Sequence, residues 1–522
     1  MDADDVSLQS LTGTEISADP AFVFDGVPVS RAEFVGKVEQ TTAWLAAQDI
    51  GKGDVVAVWL VNRIEWIALL FAAARLGAIV AAVNTRYRSA EVAHLLRLSG
   101  AKLLVVEAAF RSIDFAAILA DIARDEVPAL KKLAVVGAGA IPAQWPCIRF
   151  DAFDKPYPPA PSQDDIDLPL LLYTTSGTTN GPKLVAHSQR TLATHANAVA
   201  KALRLSPQRH ALLAMLPFCG TFGMTSLLGF IAAGAAVHVL DAFEAAPALK
   251  ILSAHKITHA FGSDEMFRRI LALTDAPRPF PHLEICGFAA FQPGWRGLAA
   301  EAEARGLPLF GLYGSSEVQA LFSIARASDA FADRIEGGGW PMSPEAKVRV
   351  RDTETGELAA QGTSGEIEIS APSRFLGYFN NADATRAAIT ADGFFRTGDI
   401  GRLRGGAFVY ETRAGDAMRL GGFLVAPGEI EDELKACAGV ADAQVVAVDL
   451  KGQARCVAFV IPAGTPPRQE VLTARLRERL ASYKVPARIY AVDAFPVTDS
   501  ANGVKIQRAK LRAMAMERIA AD

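Results

Sequence analysis

Leu171 to Val185 reads LLYTTSGTTNGPKLV. The apolar run from Leu168 to Tyr173 predicts a buried strand, which opens into seven small or hydroxylated residues, Thr174 to Asn180, and then Gly181, Pro182 and Lys183. Hydroxyls, glycine N–H groups and one lysine are what a loop needs to hold a polyphosphate. Glycine lets the backbone come close, and the hydroxyls donate without filling the space. The pattern differs from the loop of kinases and GTPases, which needs Gly-Lys-Ser/Thr four residues after its first glycine. Here Gly177 is followed by Thr178 to Gly181 and then by Pro182, Lys183 and Leu184.

With 522 residues the chain predicts two or more domains. A net charge of -4 gives no reason to expect a nucleic-acid partner. Cys147, Cys219, Cys286, Cys437 and Cys456 form no CxxC pair, which suits reduced thiols in a cytoplasmic protein. The acidic start MDADDVSLQS lacks the layout of a signal peptide. The run from Trp66 to Val83 is interrupted by Arg75 and Gly77, so it predicts a buried helix and strand and no integral membrane segment.

Outward from the loop, VVAVWL (Val55 to Leu60), AIVAAV (Ala78 to Val83), KLLVVE (Lys102 to Glu107) and KLAVVG (Lys132 to Gly137) alternate with amphipathic stretches. That alternation predicts an α/β fold with parallel sheets covered on both faces. Further strands are read at Ala235 to Leu240, Lys256 to Gly262, Glu284 to Phe291 and Pro308 to Val318. Ligands in such sheets lie beyond the C-terminal strand ends, so the polar turns there predict one cleft. Beyond Gly337, KVRVRD and GEIEIS predict a smaller antiparallel sheet or barrel. The last hundred or so residues read as a separate α+β unit ending in a basic tail.

Five segments in this order resemble the adenylate-forming superfamily of acyl-CoA synthetases, amino-acid adenylation domains and beetle luciferases. They are Thr175 to Lys183, YGSSE (Tyr313 to Glu317), RTGD (Arg396 to Asp399), TRAGDAMRLGGFLVAPGEIE (Thr412 to Glu431) and NGVKIQR (Asn502 to Arg508). The resemblance implies a large N-terminal domain, about 1–412, of two parallel α/β-sheet subdomains plus a small β-barrel-like one. A small mobile α+β C-terminal domain, 413–522, would follow.

The resemblance also implies roles. Thr175, Ser176, Gly177, Thr178, Thr179 and Lys183 would hold the ATP phosphates. Gly287, Phe288 and Ala289 would wall the adenine, with Tyr313 stacked on it and Gly314, Ser315 and Ser316 beside it. Glu317 would bind Mg²⁺, Asp399 the ribose hydroxyls, and Arg413 would assist. Lys505 would sit between substrate carboxylate and α-phosphate as the catalytic lysine, with Lys183 and Glu317 completing the catalytic set. Gly415 would be the hinge, and Gly421 and Gly422 would line the coenzyme A tunnel. The implied reaction joins a carboxylic acid to ATP as acyl-AMP and passes the acyl group to coenzyme A.

Several positions depart from the family pattern. Asn180 and Leu184 stand where glycine is common, and Val504 precedes Lys505. In LPFCGTFGM, Cys219 and Gly220 replace bulkier residues, which opens space for a larger acyl group. The acyl pocket is read at Cys219, Gly220, Phe222, Gly223, Phe261 and Phe291, with Asp264 and Glu265 facing solvent. No aspartate lies between Pro217 and Gly229 to bind an amino group, which disfavours an amino acid. The expected substrate is a mainly apolar acid, a fatty acid ahead of an aryl or alicyclic one. Transfer to a carrier protein, a non-catalytic homologue and an ADP-releasing phosphotransferase remain as rivals. Monomer or homodimer is left open.

Overall fold

The doubly apolar runs become the central strands of two sheets. A computed structural model describes residues 1–522 except 1–5, 14–19, 164, 176–181, 290–294, 353, 354, 414–417, 422, 426, 451, 466, 501, 502 and 522. In the first sheet, of eight strands among the described residues, Val55–Trp59 lies between Ile79–Ala82 and Leu103–Glu107, all parallel. Every residue of these three strands is buried, as expected of strands covered on both faces. The run from Trp66 to Val83 folds as the helix Ile64–Leu76, ended by Gly77 at φ 65°, and then the strand Ile79–Ala82. No helix among the described residues is long and apolar enough to cross a membrane.

Among the described residues the second sheet has thirteen strands. Its middle is parallel: Ala211–Ala214, Ala236–Val239, His259–Ser263, Ile285–Ala289 and Leu309–Ser315. The small antiparallel unit read beyond Gly337 is continuous with it. Strand Gly338–Pro341 pairs on one side with Gln319–Ile324 and on the other with Ala407–Arg413. Gly338 and Gly339 make that junction, at φ 116° and 96°. A Cβ on either would stand 2.2 Å from Phe408 O or 2.3 Å from Ile324 C. Both sheets are thus mixed: parallel at the centre and antiparallel where they approach the ligand loops. One edge of the second sheet is the hairpin Phe22–Phe24 and Val27–Val29, which the sequence did not announce.

Three hydrophobic cores draw on residues between Leu8 and Phe408. Two smaller ones draw on residues from Met418 to Ile519. The latter surround the strands Val440–Leu450, Gln453–Pro462 and Arg488–Ala491. The basic tail is more ordered than its charge suggested. Arg508–Ala521 is a helix whose Leu511 and Ala515, four apart, are buried against Val446, Val457 and Phe459.

Candidate active site

The stretch read as a phosphate loop is flanked by two paired strands. Strand Pro169–Thr175 runs antiparallel to Lys183–Ser188, with Thr175 directly opposite Lys183. Ser176, Gly177, Thr178, Thr179 and Asn180 lie outside the described residues. Leu184 is buried in the first sheet's second core, so this departure from glycine fills core volume. Lys183–Ser188 also pairs with Gly377–Tyr378, Val185 facing Tyr378. Lys183 and Val185 share a face of the strand, which brings the Lys183 ammonium over the Tyr378 ring, 4.6 Å from its centroid. Tyr378 Oη donates to Glu317 Oε1 at 3.0 Å. Lys183, Tyr378 and Glu317 therefore form one row.

The turn of YGSSE ties three regions together. His187 Nε2 donates to the Ser316 carbonyl at 2.7 Å, from the phosphate hairpin. Burial lowers the His187 pKa to about 4, so the imidazole is a neutral strut. Ser316 Oγ lies 3.1 Å from Thr221 Oγ1, at the start of the helix Thr221–Ala232. Phe375 N donates to the Glu317 carbonyl at 2.7 Å. Tyr313 is buried, and its Oη donates to Asp399 Oδ2 at 2.7 Å. Asp399 faces Arg413 across the strand pair Phe395–Arg404 and Ala407–Arg413. The Arg413 side chain is outside the described set.

Gly287 and Phe261, read as adenine wall and acyl pocket, pack directly: a Cβ on Gly287 would stand 2.4 Å from Phe261 Cδ1. Phe261 in turn packs edge to face on Phe222, centroids 6.2 Å apart. Asn62 sets the loop before them. Its Nδ2 donates to the carbonyls of Leu216 and Leu240, both at 2.9 Å, and Phe218 N donates to its Oδ1 at 2.7 Å. Gly223 is required, since a Cβ would lie 2.2 Å from Pro217 O. Gly220, by contrast, would place one at an ordinary 3.4 Å. Burial pushes the Cys219 thiol up to about 11, making it a wall rather than a nucleophile. Phe291 is outside the described residues. Glu265 pairs with Arg268 at the surface, but Asp264 is buried, 2% exposed, contrary to the reading that it faces solvent. It begins the helix Asp264–Leu271, where an acidic first turn suits the dipole.

In the C-terminal part, Gly421 turns between Met418–Leu420 and Phe423–Val425 at φ 57°. A Cβ on it would be 2.8 Å from Tyr483 Cβ. Gly415 and Gly422 lie outside the described residues. Lys505 lies on the hairpin Val497–Ser500 and Gly503–Ile506, opposite Thr498, and its side chain is outside the described set. Where the two parts meet there is a cleft of about 400 Å³ lined by Arg88, Arg455, Arg477, Gln469, Thr473 and Ser482. Arg88 Nε and Arg455 Nε are buried there without a hydrogen-bond partner.

The family model described as AMP-binding enzyme matches residues 14–379, and that of the AMP-binding enzyme C-terminal domain matches 429–502. The chain belongs to the AMP-binding enzyme family. The enzyme is 28% identical over 509 residues to YngI of Bacillus subtilis (strain 168), a candidate acyl-CoA synthetase, covering 93% of this chain and 92% of that one. It is 30% identical to the 2-succinylbenzoate–CoA ligase of Bacillus velezensis, covering 91% and 92%. An o-succinylbenzoate CoA synthetase from Bacillus subtilis shares the fold at 23% identity. Bound to a product analogue, as a double mutant, it superposes with TM-score 0.82, covering 97% of this chain and 98% of that one. In complex with AMP it superposes with TM-score 0.67 at 97% of each chain. The enzyme is an AMP-forming acid–thiol ligase, the class of these relatives.

Proposed function

We infer that the enzyme converts a carboxylic acid carrying an aromatic ring to its coenzyme A thioester through an acyl-adenylate. The observation carrying this reading is the convergence of Lys183, Tyr378, Glu317, Tyr313 and Asp399 around the Ser316 turn. The relatives that act on ring-bearing acids, and the Phe222–Phe261 pair, move the expected acid away from the fatty acids. Asp399 accepts from the ribose hydroxyls, Arg413 assists, and Tyr313 stacks beneath adenine against Gly287, Phe288 and Ala289. Lys183 neutralises phosphate charge. No cluster of three or more His, Cys, Asp or Glu suited to a metal exists among the described residues. A single carboxylate, Glu317, fits Mg²⁺, which takes one or two carboxylates and leaves its other positions to phosphate and water. When bound, the ion neutralises charge developing on the phosphates.

Lys505 holds the substrate carboxylate against the α-phosphate. A carboxylate oxygen forms the new P–O bond, and the bond from the α-phosphorus to the bridging oxygen breaks, releasing pyrophosphate. The coenzyme A thiolate then attacks the acyl carbon and AMP leaves with the oxygen the acid brought. Between the steps the C-terminal domain rotates about Gly415, and Gly421 and Gly422 border the thiol's path. The arginine cleft supports coenzyme A as acceptor, because guanidinium groups suit a diphosphate and a phosphomonoester. The better superposition on the product-analogue complex supports reading the present arrangement as the acyl-transfer one. The five free cysteines suit a reducing compartment, the cytoplasm.

Product analysis with Mg-ATP, coenzyme A and a panel of benzoic, phenylalkanoic and fatty acids tests the reading. AMP, pyrophosphate and an acyl-CoA are expected, fastest with a ring-bearing acid. A fatty acid turned over faster would overturn the substrate assignment, and AMP without thioester would move the acceptor to a carrier protein.

A further inference from the structure

Lys484 is only 5% exposed, a rare place for a charge. It ends the short turn Ser482–Lys484 in the C-terminal part. Its Nζ donates to Glu429 Oε2 at 2.6 Å, on the neighbouring helix Pro427–Lys435, and to Glu91 Oε1 at 2.5 Å. Glu91 belongs to the other part of the molecule, on the helix Ser89–Ser99. Its second oxygen, Oε2, accepts from Arg88 N at 2.9 Å and, across the same boundary, from Ala481 N at 3.1 Å. The Glu91 side chain is 9% exposed.

This arrangement is sensitive to position. One ammonium is shared by two nearly buried carboxylates, and the attraction offsets desolvation only while all three stay together. A shift of the C-terminal part by a few ångströms leaves Lys484 with Glu429, its own neighbour, and strips Glu91 of both cross-boundary partners. The contact thus distinguishes one arrangement of the two parts from all others. It also reaches the nucleotide site. Lys484 Nζ lies 5.4 Å from the centroid of the Tyr87 ring, and Tyr87 Oη is 2.9 Å from Thr174 Oγ1, one residue before the neck of the phosphate hairpin. The lock therefore stands two side chains from the loop that meets the ATP phosphates.

We propose that Glu91, Lys484 and Glu429 are positioning residues for acyl transfer: an ion lock that holds the C-terminal domain in the present arrangement and must open for Lys505 to reach the acid. None of the three touches substrate. The proposal deepens the two-step reading above and rests on it for its kinetic consequence. The prediction is a split between half-reactions that loss of stability alone would not produce.

Glu91→Gln is the cleanest variant, since its amide oxygen can still accept from Arg88 N while the ion pair is lost. Transfer from supplied acyl-AMP to coenzyme A should slow by about tenfold or more, with acid-dependent ATP–pyrophosphate exchange unchanged or faster. Equal loss in both halves, or no loss in either, overturns the lock. A readout free of activity is amide hydrogen exchange in Ala481 to Lys484 without substrates. Exchange there should rise about tenfold in Glu91→Gln, while strand Val440–Leu450 keeps its wild-type protection. Unchanged exchange at Ala481 overturns the proposal. If the wild type made no thioester from any acid, the two-step reading would fail, and the exchange result would still decide whether the lock exists.

Discussion

Two pairs of carboxylates in this enzyme are held in opposite ways. Glu317 and Asp399 each accept a hydrogen bond from a neutral phenol, Tyr378 and Tyr313. Glu91 and Glu429 share the ammonium of Lys484. A phenol fixes a carboxylate through a neutral hydrogen bond; an ammonium offsets its charge. The first manner suits the metal ion and ribose hydroxyls proposed for Glu317 and Asp399. The second suits a joint between two parts, whose partners are already present.

The sharpest way to break the comparison is to remove the charge proposed to act at the reaction centre. Lys505→Ala is expected to lower acid-dependent ATP–pyrophosphate exchange by roughly 10²–10³-fold while transfer from supplied acyl-AMP stays near wild type. Equal loss in both would remove Lys505 from adenylation. Next, Glu317→Gln should lower adenylate formation by about 10²-fold and raise the Mg²⁺ concentration needed for half-maximal rate, as measured in a metal titration. An unchanged Mg²⁺ requirement would place the ion elsewhere. Tyr378→Phe keeps the ring beneath Lys183 and deletes the hydroxyl on Glu317. A loss of roughly 2–10-fold in kcat/KM for ATP is expected, the size of one hydrogen bond to a charged group at a half-buried position. The smallest effect is expected at Gly220, where a Cβ has ordinary room. Gly220→Ala should change the ranking of acids by about tenfold or less and leave the KM for ATP alone.

The family was legible because its signature sits in short contiguous motifs. Thr175 to Lys183, Tyr313 to Glu317 and Asp399 stand out by residue type, and the strand–helix alternation placed them at strand ends. What escaped were residues whose roles come from register. Tyr378 reaches Lys183 only because Gly377–Tyr378 pairs with Lys183–Ser188, nearly two hundred positions away in sequence. Asn62 and His187 were hidden for the same reason, since their partners Leu216, Leu240, Phe218 and Ser316 lie more than a hundred positions away. The Glu91–Lys484–Glu429 contact crosses between parts that no periodicity connects. Asp264 was misread because burial of a first-turn carboxylate depends on the packing around the helix Asp264–Leu271, which residue type does not reveal. The tail was read only by its charge, while its helix buries Leu511 and Ala515 on one face.

The central claim is that the acid's own oxygen attacks the α-phosphorus. The most direct test supplies a carboxylic acid with both carboxylate oxygens labelled as ¹⁸O, with ATP and coenzyme A, and follows the label by mass spectrometry. One labelled oxygen in AMP per turnover, with the other retained in the thioester carbonyl, is the result predicted. Label in orthophosphate together with ADP, or AMP free of label, would contradict it.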